Sequence, residues 1–206
     1  MVPTADILDR LVGPELQEQL RDVTIGREII VLQEAASTND SILHRARPGT
    51  AEGLVVFAEH QTAGRGQRGN HWESAPHKGI WFSILLRPSI SLQESPRLTA
   101  WAAQTVATTI KDEFSLPAAI KLPNDVYLGN RKVAGVLVEM RAEGKAPHIA
   151  IAGIGINVNQ TPEDFSPKIR TRAASLAIVL DRQVDRVKLA VALLRALDRT
   201  YREVFS

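Results

Sequence analysis

Apolar residues along this chain fall into two kinds of pattern. Short, nearly unbroken apolar runs alternate with longer stretches in which apolar positions recur every three or four residues. The first kind marks strands, the second amphipathic helices. Strands are predicted at REIIVLQEA (27–35), GLVVFAEH (53–60), GIWFSILLR (79–87) and HIAIAGIGINVN (148–159), all rich in β-branched or aromatic residues. The segment AAIKLPNDVYLGNRKVAGVLVEM (118–140) reads as strand, turn, strand, with Gly129-Asn130 as the tight turn. RAEGKAP (141–147) reads as a polar turn. Helices are predicted over the first twenty residues, broken near Gly13-Pro14, and over SILHRA (41–46), with STND suited to capping its start. A long helix follows the capping-box spacing of Ser91 and Glu94 (92–114), and another closes the chain (184–205).

Strands joined by short turns, with one long helix between two sets of them, predict an α+β domain. Its central sheet is mixed and largely antiparallel, with helices mainly on one face. A doubly wound parallel sheet would need more helices between strands. With 206 residues, 44% hydrophobic and 23% charged, the chain reads as a single globular domain, 1–206. It has no cysteine, which excludes disulfides, thiolate metal sites and cysteine nucleophiles. The formal net charge is +2, and no lysine- or arginine-rich block stands out, so no nucleic-acid footprint is expected. No apolar run reaches the roughly 18 residues of a membrane span, and no signal-peptide core is present. A cytoplasmic location is the default expectation.

The segment AEHQTAGRGQRGNHWES (58–74) is the one least able to build a core. Its glycines let backbone approach a ligand closely, its amides can form an anion-binding nest, and Arg65 and Arg68 add forked donors for phosphate or carboxylate. A mobile loop that orders on an anionic ligand is one reading; taken alone, a solvated linker fits as well. Its glycine spacing is neither that of a Walker loop nor that of a Rossmann turn. Lys121 ends a strand before a proline turn and could be aimed at one point, although a lone edge lysine is more often solvated. Gly153 and Gly155 share a strand face, a place where a ligand or backbone can come close, and Asn157 continues that face. Three histidines near the loop lack the carboxylate or cysteine partners of a zinc site.

In this order, these stretches resemble the biotin protein ligases. GRGQRGNHW is similar to the family's GRGRRGRxW, KLPNDVYLGNRKVAGVLVE to KWPNDxxxxxxKxxGxLxE, and GIGIN to GxGxN, with STN (37–39) shared upstream. The resemblance implies a fold akin to class II tRNA synthetase and lipoate ligase catalytic domains. It implies that biotin and ATP, with Mg²⁺ carried on the nucleotide, give biotinyl-5′-adenylate, from which biotin passes to a lysine of a biotin carboxyl carrier protein. By matched position, Ser37, Thr38, Asn39 and Gln61 would hold biotin. Arg65, Gly66 and Gln67 would close over its carboxylate, and Lys121 would grip carboxylate and phosphate. Gly135 and Gly155 would leave room for biotin, while Arg68, Trp72, Asn124 and Asn157 would serve ATP. Lys121 and Arg65 would carry the catalysis, and no metal site is expected in the protein itself.

The chain departs from the pattern at Gln67, where the family often has arginine, and at Leu122, where tryptophan is usual. The first departure implies weaker retention of the adenylate. Neither the helix-turn-helix domain nor the small C-terminal β-barrel of some members is expected, and the protein would be a monomer or homodimer. The readings set against this one are a lipoate or octanoate ligase, and a non-catalytic nucleotide- or nucleic-acid-binding module.

Overall fold

The computed structural model describes residues 9–47, 49–142 and 148–205. Seven strands form one sheet: β1 (Glu28–Ala35), β2 (Leu54–Gln61), β3 (Gly79–Leu86), β4 (Ala118–Lys121), β5 (Asp125–Leu128), β6 (Arg131–Arg141) and β7 (Ile149–Asn157). Their spatial order is β1-β2-β3-β7-β6-β5-β4. β1 and β2 are parallel, joined through helix α2 (Thr38–Arg45), and every other neighbouring pair is antiparallel. This is the expected α+β class with a mixed, largely antiparallel sheet. The expected polar turn at 141–147 falls mostly outside the described residues.

The sheet has two unlike faces. On one, Phe57, Phe82, Ile84, Val136, Ile154 and Ile156 pack against Leu98, Val106 and Ile110 of α3 (Ser95–Phe114). Leu193, Leu194 and Leu197 of α5 (Arg186–Phe205) and Leu16 of α1 (Gly13–Glu18) complete that core. The other face buries a smaller cluster, in which Ile42 of α2 meets Val56, Leu85 and Ile151. The remainder of that second face is left to a cleft. A short helix, α4 (Leu176–Leu180), lies between β7 and α5 and was not read from the sequence.

Three local expectations are refined. The 118–140 segment holds three strands, not two, because a second turn at 122–124 cuts it and leaves β4 and β5 four residues each. Gly13-Pro14 opens helix α1, while the helix expected ahead of it falls mostly on residues 1–8, outside the described residues; a proline in the first turn gives up only an N–H that the helix would leave unpaired. Ser91 and Glu94 do form a capping box, with the Ser91 amide donating to Glu94 Oε2 at 3.0 Å, but around a 3₁₀ turn (Leu92–Glu94) from which α3 continues.

One fully buried ion pair fastens the fold's ends together. Arg186, at the start of α5, is 1% exposed and donates from Nη1 to Glu59 Oε2 at 2.6 Å; Glu59, on β2, is 0% exposed. Arg186 also donates to Asp9 Oδ2 (3.0 Å) and to the Gly79 carbonyl (3.0 Å), while the Leu11 amide donates to Glu59 Oε1 (3.2 Å). Removing one partner strands the other's charge in the core. Arg186→Ala is therefore expected to destabilise the protein by about 3–5 kcal/mol, read as a lower denaturant midpoint with an unchanged slope.

Candidate active site

The cleft follows from the register of the sheet. Cross-strand pairing aligns Trp81, Gly155, Gly135 and Asp125 in one row across β3, β7, β6 and β5. Ser83, Gly153 and Leu137 form the next row. Three glycines on one face leave a trough of bare backbone. Side chains from outside the sheet lie in it. A Cβ on Gly153 would stand 2.2 Å from Asn39 Oδ1, and one on Gly135 or Gly155 would come within 2.7–2.8 Å of the Trp72 ring. The cleft above measures about 270 Å³.

Its α2 end is a buried polar floor. Ser83 Oγ lies 2.7 Å from Thr38 Oγ1 and 2.6 Å from Asn39 Oδ1, and both Thr38 N–H (2.9 Å) and Thr38 O–H (3.2 Å) donate to Gln61 Oε1. Asn39 Nδ2 donates to Glu139 Oε2 at 2.7 Å, which fixes its amide orientation. Ser37 occupies the helix N-cap position, but its side chain caps nothing. Thr38 and Asn39 begin the helix and turn their side chains to the floor.

Above the trough, residues 64–72 close as a hairpin and are not the structureless loop their composition suggests. Gly66 N–H donates to the Asn70 carbonyl (2.7 Å) and Trp72 N–H to the Gly64 carbonyl (2.9 Å), with Arg65 bridged to His71. At the tip Arg68 adopts φ +57°, a left-handed conformation uncommon outside glycine. Arg65 reaches back, with Nη1 at 2.5 Å from Asp40 Oδ2 and Nη2 at 3.0 Å from Glu139 Oε2. The hydrogen bond to Asp40, helped by the charge of Glu139, raises the Arg65 pKa above its ordinary value.

The cleft's ammonium belongs to Lys132. Its Nζ is 2.6 Å from Asp125 Oδ1 and 5.1 Å from the centroid of the Trp72 ring. Strict alternation from Gly135 would send Lys132 to the helix face. A one-residue bulge prevents this: Val126 and Tyr127 are consecutive on β5, yet they pair with Ala134 and Lys132 on β6. The extra residue, Val133, joins Ala134 in the helix-face core and Lys132 swings to the cleft. Bulges beside functional sites commonly re-aim a side chain in this way.

The profile of the Biotin/lipoate A/B protein ligase family matches residues 33–157, more than half of the chain. The chain belongs to that family. A Bacillus subtilis protein named bifunctional ligase/repressor BirA is 35% identical over 94% of this chain and 60% of its own length. A Mycobacterium tuberculosis protein named biotin–[acetyl-CoA-carboxylase] ligase is 34% identical over 92% of this chain and 72% of its own. The solved Aquifex aeolicus biotin protein ligase in complex with biotin and ATP aligns at TM-score 0.72 and 31% identity, over 85% of this chain and 70% of that one. The chain thus spans about three fifths of the length of the Bacillus relative.

Within this member of the biotin/lipoate ligase family, the expected residues Ser37, Thr38, Asn39, Gln61, Arg65, Gly66, Gln67, Arg68, Trp72, Asn124, Gly135 and Gly155 all line the cleft. Two of the expected residues are not among those that line it. Lys121 ends β4 at the sheet edge, paired with Asp125 of the glycine row, and its Nζ lies 5.6 Å from the Tyr127 ring centroid. Asn157 is also outside; Nδ2 donates to the Ala174 carbonyl (3.1 Å) and Oδ1 accepts from Gln160 (3.1 Å), so it fastens the chain after β7. The sequence reading passed over Lys132, Glu139, Asp40 and Ser83. Ser83 had left a trace as the lone hydroxyl in the apolar run GIWFSILL. Among the described residues no three His, Asp or Glu side chains gather as a metal site.

Trp72 and the glycine row constrain each other sterically. Gly155→Ala is expected to expel the Trp72 ring from the trough and red-shift the tryptophan emission of the free protein; an unshifted spectrum would mean the ring does not rest there.

Proposed function

We propose that the protein is a biotin protein ligase: it activates biotin with ATP and transfers the acyl group to a lysine of a carrier domain. The observation that carries this reading is the pairing of a buried, neutral polar floor with a cationic mouth in one cleft. A ureido ring has two N–H donors and a carbonyl acceptor, which suit the hydroxyl and amide groups at Thr38, Asn39, Gln61 and Ser83. Lipoate's dithiolane ring offers that floor no donor, and unpaired buried polar groups reject an analogue strongly. The likeness to a biotin–[acetyl-CoA-carboxylase] ligase and to the Aquifex aeolicus biotin protein ligase in complex with biotin and ATP supports the same substrates.

The chemistry requires no protein nucleophile. Biotin's carboxylate oxygen attacks the α-phosphorus of ATP, and the bond to the departing pyrophosphate breaks. The ε-amine of the carrier lysine then attacks the acyl carbonyl, loses a proton and expels AMP. The protein's part is alignment and stabilisation of charge that develops at phosphorus. Lys132, beneath the trough's mouth, and Arg65 and Arg68, on the hairpin, are the cations for that task. Trp72 has a buried indole N–H with no partner, which marks the ring as resting in space that biotin's tail or the adenine takes over. The hairpin shields the acyl-adenylate from water. The carrier is the biotin carboxyl carrier protein of acetyl-CoA carboxylase, and the setting is the cytoplasm. No helix among the described residues is long and apolar enough to cross a membrane.

Pyrophosphate release on separate addition of biotin and of lipoate tests the reading. Release with biotin alone is expected, and release with lipoate alone contradicts it. In the same assay Lys132→Ala is expected to lose one to two decades of rate, about one charge-assisted hydrogen bond's worth. Lys121→Ala should remain within about twofold, since losing a surface cation–π contact is a small perturbation.

A further inference from the structure

We infer that Asp40 and Glu139 are positioning residues for the acyl-activation step, Asp40 acting through Arg65 and Glu139 through Arg65 and Asn39; this rests on the ligase reading above. A cleft meant for a carboxylate and a triphosphate gains nothing from carboxylates at its mouth, because they repel both ligands. Yet two stand there, on two different elements. Asp40 sits in the first turn of α2 and Glu139 on β6, and each is within 3.0 Å of a different terminal nitrogen of Arg65. Their cost to ligand binding makes sense if they serve the arginine.

A guanidinium is a planar fork with five N–H groups. Two nitrogens are held here by carboxylates, so the plane is fixed while other N–H groups stay available to a ligand. Held this way, the side chain keeps its charge and has already lost the rotamer freedom that binding would otherwise remove. Among the described residues, no other side chain of positions 65–71 bonds to α2 or β6. Arg65 is therefore the polar link between hairpin and cleft walls.

Glu139 does more than anchor a cation. The oxygen that takes Arg65 at 3.0 Å also accepts from Asn39 Nδ2 at 2.7 Å, and Asn39 Oδ1 meets Ser83 Oγ at 2.6 Å over Gly153. The floor that would hold the acyl group's ring and the cation that would meet its carboxylate thus share one carboxylate oxygen. The spacing between the two subsites is set by Glu139, with Asp40 fixing the guanidinium from the other side.

The test is a mutant cycle with Asp40→Asn, Glu139→Gln and Arg65→Ala, the first two keeping shape and an accepting oxygen while removing charge. In the ligand-free protein, hydrogen exchange of residues 65–71 should rise about tenfold in each, the order expected for one charged hydrogen bond. In pyrophosphate release, kcat/KM for biotin should fall about tenfold for Asp40→Asn and for Glu139→Gln. Asp40→Asn should not lower it further once Arg65 is alanine, and Glu139→Gln should then cost less than in the wild type, keeping only the part that runs through Asn39. Costs that persist undiminished in the Arg65→Ala background, or exchange and kcat/KM that stay unchanged or improve, overturn the inference. If Glu139→Gln fails to fold, Asp40→Asn carries the cycle alone. Should the wild type release no pyrophosphate with biotin, the ligase reading fails while the exchange measurement still decides whether the carboxylates hold the hairpin.

Discussion

One extra residue in β6 decides which face of the sheet carries the cleft's ammonium. Residues two apart on a strand share a face, so Gly135, Leu137 and Glu139 share the cleft face, and Lys132 should point away from them. Val133 breaks the alternation by entering the helix-face core beside Ala134, and Lys132 emerges on the cleft side, 2.6 Å from Asp125. The bulge and the glycine row depend on each other. The glycines give the Trp72 ring a bare backbone to lie on, and the ring gives the Lys132 ammonium an aromatic face to approach. Without the bulge the glycines, indole and Asp125 carboxylate would lack the Lys132 ammonium beside them.

The two faces of the sheet divide stability from chemistry. The helix face holds the large apolar core and, at its margin, the buried Arg186–Glu59 pair that ties Asp9 and Leu11, β2 and α5 together. The cleft face carries little apolar packing beyond the Ile42 cluster. Its order comes from directional bonds among Ser83, Thr38, Asn39, Gln61 and Glu139, which a well-packed scaffold behind them can keep in register. A proposed acyl-adenylate site needs this arrangement, because alignment is most of what the protein contributes.

Much of the fold was legible in the residue pattern. β1, β2, β3 and β7 are long enough for an apolar run to show, and α5 is long enough for a helical period. β4 and β5, at four residues each, are too short for any period, so 118–140 read as two strands. The site was legible as a set of motifs but not as geometry. Lys121 looked well aimed because it precedes a proline turn, yet the pattern does not reveal that β4 is the sheet edge. Lys132 was hidden because period-two reasoning puts it on the wrong face, and a bulge leaves no mark in one sequence. Asn157 continues the parity of Gly153 and Gly155, but its amide is spent on Ala174 and Gln160. The tie of Arg65 to Glu139 spans 74 positions of chain and could not be read from spacing.

The most direct test of this account is a crystal structure of the protein with biotin and ATP. Biotin's ring is expected on the Ser83–Thr38–Asn39 floor, with Lys132 Nζ within hydrogen-bond distance of its carboxylate or the α-phosphate, and Lys121 still beside Tyr127. A complex in which Lys121 grips the ligand while Lys132 stays bound to Asp125, away from the acyl group, would contradict it.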